Sequence, residues 1–68
     1  MSKIRRLRER AKISQAELAR RVDVSQPTIS DWENGEKVPS GENLVRLATE
    51  LGVKPSQIIA DIYDSRVA

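Results

Sequence analysis

Residues 25–35 read SQPTISDWENG. Ser25 is a good N-cap, because its hydroxyl can accept a hydrogen bond from a first-turn N–H that the helix leaves unpaired. Pro27 follows within the first turn, where its missing N–H would have had no helical partner. Gly35 supplies the positive φ that a helix C-terminus favours. These signals predict a short helix. On a wheel of about 100° per residue, Gln26, Pro27, Ser30, Asp31 and Asn34 fall within an arc of about 140°. Thr28, Ile29, Trp32 and Glu33 take the other side. One face packs, and the other carries small hydrogen-bonding groups with no lysine or arginine.

The segment before this helix begins at Ser14. Ser14 and Glu17 have the S-x-x-E spacing of a capping box, in which each side chain satisfies the other residue's free N–H. Ile13 with Leu18, and Val24 with Ile29, have the spacing of hydrophobic staples. Leu18, Ala19 and Val22 face inward, and this helix ends near Val22. Only Asp23, Val24 and Ser25 separate it from the next helix, so the two must cross steeply, as in a helix-turn-helix. Upstream, a helix from Ser2 to Ala11 carries Ile4, Leu7 and Ala11 as its inner stripe. Downstream, Val38-Pro39 reads as a loop. Ser40 then caps a helix with Leu44, Leu47, Ala48 and Leu51 on one face, and Gly52 stops it. Pro55 opens a fifth helix with Ile58, Ile59 and Ile62 as its apolar positions. No segment alternates long enough to be a strand. The expectation is an all-α, five-helix bundle over residues 1–63 with a short tail at 64–68.

Composition narrows the chemistry. The 68 residues contain no cysteine and no histidine. Disulfides, thiolate metal sites and imidazole acid-base catalysis lose their usual residues, so no catalytic residue, metal or cofactor is expected and the chain reads as a non-enzyme. The lack of cysteine fits a reducing cytoplasm. No apolar run exceeds three residues, which argues against a signal peptide or a membrane span. The net charge of +2 is unevenly spread. Residues 1–21 hold eight Lys/Arg (Lys3, Arg5, Arg6, Arg8, Arg10, Lys12, Arg20, Arg21) against Glu9 and Glu17, whereas residues 22–68 are net acidic. A basic end on a small domain suits a polyanion.

The small polar face of the 25–35 helix, which lacks lysine and arginine, suits the edges of bases in a duplex major groove. Glutamine can bond in bidentate fashion to adenine N6 and N7, serine can donate or accept, and aspartate can accept from cytosine N4. A flat proline can lie against a thymine methyl. Phosphate would then be met elsewhere, chiefly by the basic first helix and the loop after Gly35. Positioning by charge and reading by small polar groups is the division that sequence-specific binding requires.

The run SQAELARRVDVSQPTISDWENGEKVPS (residues 14–40) resembles the helix-turn-helix of the phage repressor and Cro family, also called the Xre type. Its signature is Q-x-x-L-A at 15–19, S-Q-x-x-I-S-x-W-E-x-G at 25–35, and Pro39. ENLVRLATELGV and SQIIADI resemble that family's fourth and fifth helices, so the likeness covers about residues 3–62. It implies a lambda-repressor-like fold and a DNA-binding transcriptional regulator, with repression as the default, in a prokaryotic cytoplasm or encoded by a phage. Gln26 matches the family's main base reader. Pro27 occupies the next base-facing position, where relatives often carry Gln or Ser, and Ser30 and Asp31 complete that face. Gln15 matches a residue that contacts phosphate and braces the first glutamine of the recognition helix. Asn34 and Lys37 match phosphate contacts. Ser14, Ser25 and Thr28 stand at helix starts, where anions are attracted. Arg8 and Glu33 resemble a structural pair bridging the first helix to the end of the third, and Trp32 reads as core.

The expected partner is duplex DNA, with a palindromic operator and a weak homodimer, or a dimer formed on DNA, implied by the resemblance. Ile58, Ile59, Ile62, Tyr63 and Val67 include the candidates for a dimer patch. No small-molecule ligand is indicated. The alternative is an antitoxin-type module that binds a partner protein as well as an operator.

Overall fold

Four helices end in the same way, and that repeated ending sets the path of the chain. In a computed structural model, which describes residues 2–60, they are α1 (Lys3–Arg10), α2 (Gln15–Val22), α3 (Gln26–Asn34) and α4 (Gly41–Leu51). A fifth helical segment, α5, covers 55–60. Each of the first four starts on a serine, and Ser2, Ser14, Ser25 and Ser40 accept the backbone N–H three residues on. Such a cap is worth about 1 kcal/mol.

Each of these helices closes with an i→i−5 backbone bond: Ile13 to Arg8, Val24 to Ala19, Glu36 to Asp31 and Val53 to Ala48. The residue before each donor is left-handed: Lys12 (φ 61), Asp23 (φ 63), Gly35 (φ 77) and Gly52 (φ 72). This is the Schellman ending, in which otherwise orphaned carbonyls are satisfied. Ile13, Val24 and Val53 then pack against the core. Ile13 and Val24 also stand directly before the Ser14 and Ser25 caps. One apolar residue therefore closes one helix and anchors the next, which is why four residues after α1 and three after α2 suffice to turn the chain.

The core draws on every helix. Ile4 and Leu7 come from α1, Leu18, Ala19 and Val22 from α2, and Ile29 and Trp32 from α3. Leu44, Leu47 and Ala48 come from α4, and Ile58 from α5. Fully burying a side chain such as Leu18 or Ile29 stabilises by about 1.5–3 kcal/mol. α2 lies at the centre, packed against α3 and α4, and α1 packs against α3. Pro39, in the loop between α3 and α4, is buried. Among the described residues there is no strand, and no helix is long and apolar enough to cross a membrane.

Two local expectations are corrected. Ala11 is exposed and does not join the inner stripe, because α1 ends at Arg10 and Ala11 is already its C-cap. The capping box of α2 is half formed. Ser14 accepts from Glu17 N–H at 3.0 Å, but the Glu17 carboxylate turns along the helix to accept from Arg20 and Arg21. Two guanidiniums compete better for a carboxylate than one neutral amide. The reciprocal arm appears instead at α5, where Gln57 Oε1 accepts from Lys54 N–H at 2.9 Å. Ile62, Tyr63, Val67 and the 64–68 tail lie outside the described residues.

Candidate nucleic-acid interface

The α3 wheel is realised as the sequence implies. Ile29, Trp32 and Glu33 are buried, Gln26, Pro27 and Asn34 are exposed, and Thr28, Ser30 and Asp31 are half-buried. Gln26 is the first residue of α3, and Gln15 is the first of α2. The three-residue turn brings these two helix starts together, and Gln26 Nε2 donates to Gln15 Oε1 at 3.5 Å.

Beneath them lies a buried ion pair. Arg8 Nε donates to Glu33 Oε2 at 2.7 Å and Arg8 Nη2 to Glu33 Oε1 at 3.3 Å. Arg8 Nη1 donates to the Ile13 carbonyl at 3.0 Å. One guanidinium thus ties α1, the turn after it and the end of α3. Its hydrogen bond to Glu33 raises the Arg8 pKa, against the opposing effect of burial. Gln15 Nε2 donates to Glu33 Oε1 at 3.0 Å. Glu33 is therefore bonded from both α1 and α2. Among the described residues no buried side-chain polar atom lacks a partner.

Elsewhere on this side, Ser25 Oγ and Thr28 Oγ1 are 2.8 Å apart, so the Thr28 hydroxyl turns back to the cap. Asn34 Nδ2 donates to Ser30 Oγ at 3.4 Å. The Asp31 carbonyl accepts from Glu36 and Lys37 N–H, and the Asp31 carboxylate lies 3.7 Å from Lys37 Nζ. The loop lysine thus folds back over the acidic residue of α3. In the sequence these two residues carry separate roles, one toward bases and one toward phosphate. Spacing alone does not reveal the pair, because it depends on how the loop returns after Gly35.

The Arg8–Glu33 pair that the resemblance implies is formed, and the other basic residues of α1 are spread around the helix. Arg8 is turned inward, and Arg5 pairs with Glu9 at 3.5 Å. Lys3, Arg6 and Arg10 line a shallow groove with Leu7. On a helical wheel they lie roughly 140–160° from Arg8, away from α3. Arg20 and Arg21 both hold Glu17, and these bonds, Arg20 first, lower its carboxyl pKa to about 2. The signal missed in the sequence is the i, i+3, i+4 spacing of Glu17, Arg20 and Arg21, which sets all three along one side of α2.

Comparison with known proteins agrees with this geometry. The helix-turn-helix family matches over residues 4–58. Repressor protein C2 of Salmonella phage P22 is 40% identical over 67 residues, covering 97% of this chain and 31% of that protein. The HTH-type transcriptional regulator DicA of Escherichia coli (strain K12) is 35% identical over 57 residues, covering 84% of this chain and 42% of that protein. The chain spans less than half the length of these curated relatives. No solved structure matches at a comparable level. With the family match reaching all five helical segments, and α2 and α3 crossing through a three-residue turn, the chain belongs to the helix-turn-helix family.

Proposed function

We propose that this domain binds a specific duplex DNA sequence by inserting α3 into the major groove, and that it represses transcription by occupying an operator. The observation that carries this reading is the outward face of α3. Gln26, Pro27, Ser30 and Asp31 present hydrogen-bonding and flat apolar groups there, while Ile29, Trp32 and Glu33 hold the opposite face in the core. Gln26, Pro27, Ser30 and Asp31 are the base-contacting residues. Gln15, Ser14, Ser25, Thr28, Asn34 and Lys37 meet the sugar-phosphate backbone. The starts of α2 and α3 lie side by side, so their positive dipole ends and exposed N–H groups favour phosphate. The names of the two relatives, a repressor and a transcriptional regulator, support the regulatory part of this reading.

Phage repressors dock as pairs on half-sites about 34 Å apart, one turn of the duplex, so an operator of two-fold symmetry read by two copies fits the same α3 geometry. The site is one of binding in a cytoplasmic regulator, and no catalytic activity is proposed for it. Selection of bound duplexes from a random pool, followed by binding across a salt series, tests the proposal. Enrichment of a symmetric sequence is the expected result. Binding that never rises above that of bulk DNA would overturn it.

A further inference from the structure

We propose that the groove between α1 and the end of α4 is a docking site for an acidic amphipathic segment of a partner protein, with Arg6 and Arg10 taking two of its carboxylates and Leu7, Leu51 and Val53 receiving an apolar side chain between them. The proposal does not rest on the DNA-binding reading. Two adjoining hollows make the groove. One lies beside Lys3, Arg6, Leu7 and Arg10, with a volume of about 250 Å³. The other shares Leu7 and Arg10 with it, holds about 220 Å³, and runs over Ala11 to Leu51, Gly52 and Val53. No residue of α2 or α3 lines either hollow, so this surface is separate from the outward face of α3. Each hollow is smaller than the roughly 300–1,000 Å³ of small-molecule pockets, so side chains of a docked segment fit better than an enclosed ligand.

Charge and floor together choose the occupant. Arg6 and Arg10 are exposed, and among the described residues neither forms an ion pair or a side-chain hydrogen bond. They contrast with Arg5, paired to Glu9, and Arg8, paired to Glu33. Among the described residues no Asp or Glu lines the groove. A planar guanidinium can hold a carboxylate through two parallel N–H bonds, so each arginine offers a directed seat rather than a diffuse charge. The two are four residues apart on one helix, about 6 Å along its axis. Acidic residues at i and i+4 of a helical segment have the same rise, which puts both carboxylates in reach at once. Below the arginines the surface is apolar. Leu7 is buried, Leu51 and Val53 are half-buried against the core, and Gly52 adds no side chain to cover them. A phosphate backbone would use the charge and leave that floor wet. An amphipathic helix uses both, laying its apolar side in the groove.

The test uses the full chain and a synthetic helical peptide carrying two glutamates one turn apart with a leucine between them. On titration the backbone amide resonances of α1 and of residues 51–53 are expected to shift, with those of α3 unmoved. Changing both glutamates of the peptide to glutamine, or its leucine to serine, is expected to weaken binding about tenfold. Arg6→Gln and Arg10→Gln are each expected to weaken it about threefold, and the double variant about tenfold, with Tm unchanged. Arg5→Gln removes the same charge from another side of α1 and is expected to leave peptide affinity intact. No shift in the groove, or equal losses for Arg5→Gln and Arg6→Gln, would overturn the proposal. A serine peptide that binds as well as the leucine one would overturn it too, since charge alone would then account for the contact. If the double variant binds the peptide as well as the wild type but duplex DNA with a reduced salt slope, the groove belongs to phosphate and the proposal falls. If the double variant keeps the peptide but loses self-association in sedimentation, the groove belongs to a second copy, with the same consequence.

Discussion

Gln15 and Glu33 are eighteen residues apart in the chain and 3.0 Å apart in the fold, with the amide of one donating to the carboxylate of the other. The contact joins the start of α2 to the end of α3. It also connects a buried ion pair to the start of α2 through one shared acceptor, Glu33 Oε1.

Gln26→Ala is expected to weaken binding to the selected duplex by about 1–3 kcal/mol and to relax preference at one base position. Competition between the selected duplex and its single-base variants measures this. Equal loss on specific and random DNA would remove Gln26 from the readers.

Lys37→Ala is expected to weaken binding to every sequence and to reduce the slope of log affinity against log salt by about one. Its bond to Asp31 in the free protein is exposed and worth about 1 kcal/mol or less, so melting should hardly change. An unaltered salt slope would contradict the phosphate role.

Arg8→Met is expected to cost about 3–5 kcal/mol, because it strands the Glu33 carboxylate in the core. In a domain of this size that loss approaches total stability. The double variant Arg8→Met with Glu33→Met should be more stable than either single change, since no unpaired charge remains. Urea unfolding of the three variants gives the comparison, and a double variant weaker than both singles would refute it.

Lys12→Gly is expected to raise stability by about 1 kcal/mol. Lys12 holds φ 61, a conformation disfavoured for a residue with a Cβ, and its side chain is exposed. That gain corresponds to a rise in Tm of about 4–8 °C for a domain of this length. A lower Tm would show that the lysine side chain matters more than its backbone.

Glu17 predicts an acid dependence. Hydrogen bonds from Arg20 and then Arg21 lower its carboxyl pKa from 4.5 to about 2 in the folded state. A depressed folded pKa means that its stabilisation is fully present above the usual carboxylate range and is lost as pH falls from about 4.5 through about 2. Glu17→Gln should therefore flatten the fall in Tm over that window while leaving neutral-pH binding to DNA intact. An unchanged acid limb would show that other carboxylates govern it.

The features legible in the residues alone are local ones. Serine caps, left-handed glycines, Pro27 and Pro55 in first turns, and the apolar spacing of α2, α3 and α4 are all settled within a few residues, so helix positions and the polar face of α3 can be read directly. The Arg8–Glu33 pair is legible only through resemblance, since nothing within either helix links residues 25 apart. How the helices meet fixes the rest. Packing turns Arg8 inward while Arg5, Arg6 and Arg10 stay out, folds Lys37 back onto Asp31, and brings Gln15 between Glu33 and Gln26. Hydrogen bonds of side chains act over about 3 Å, and only the crossing of α2 and α3 brings those atoms within that range.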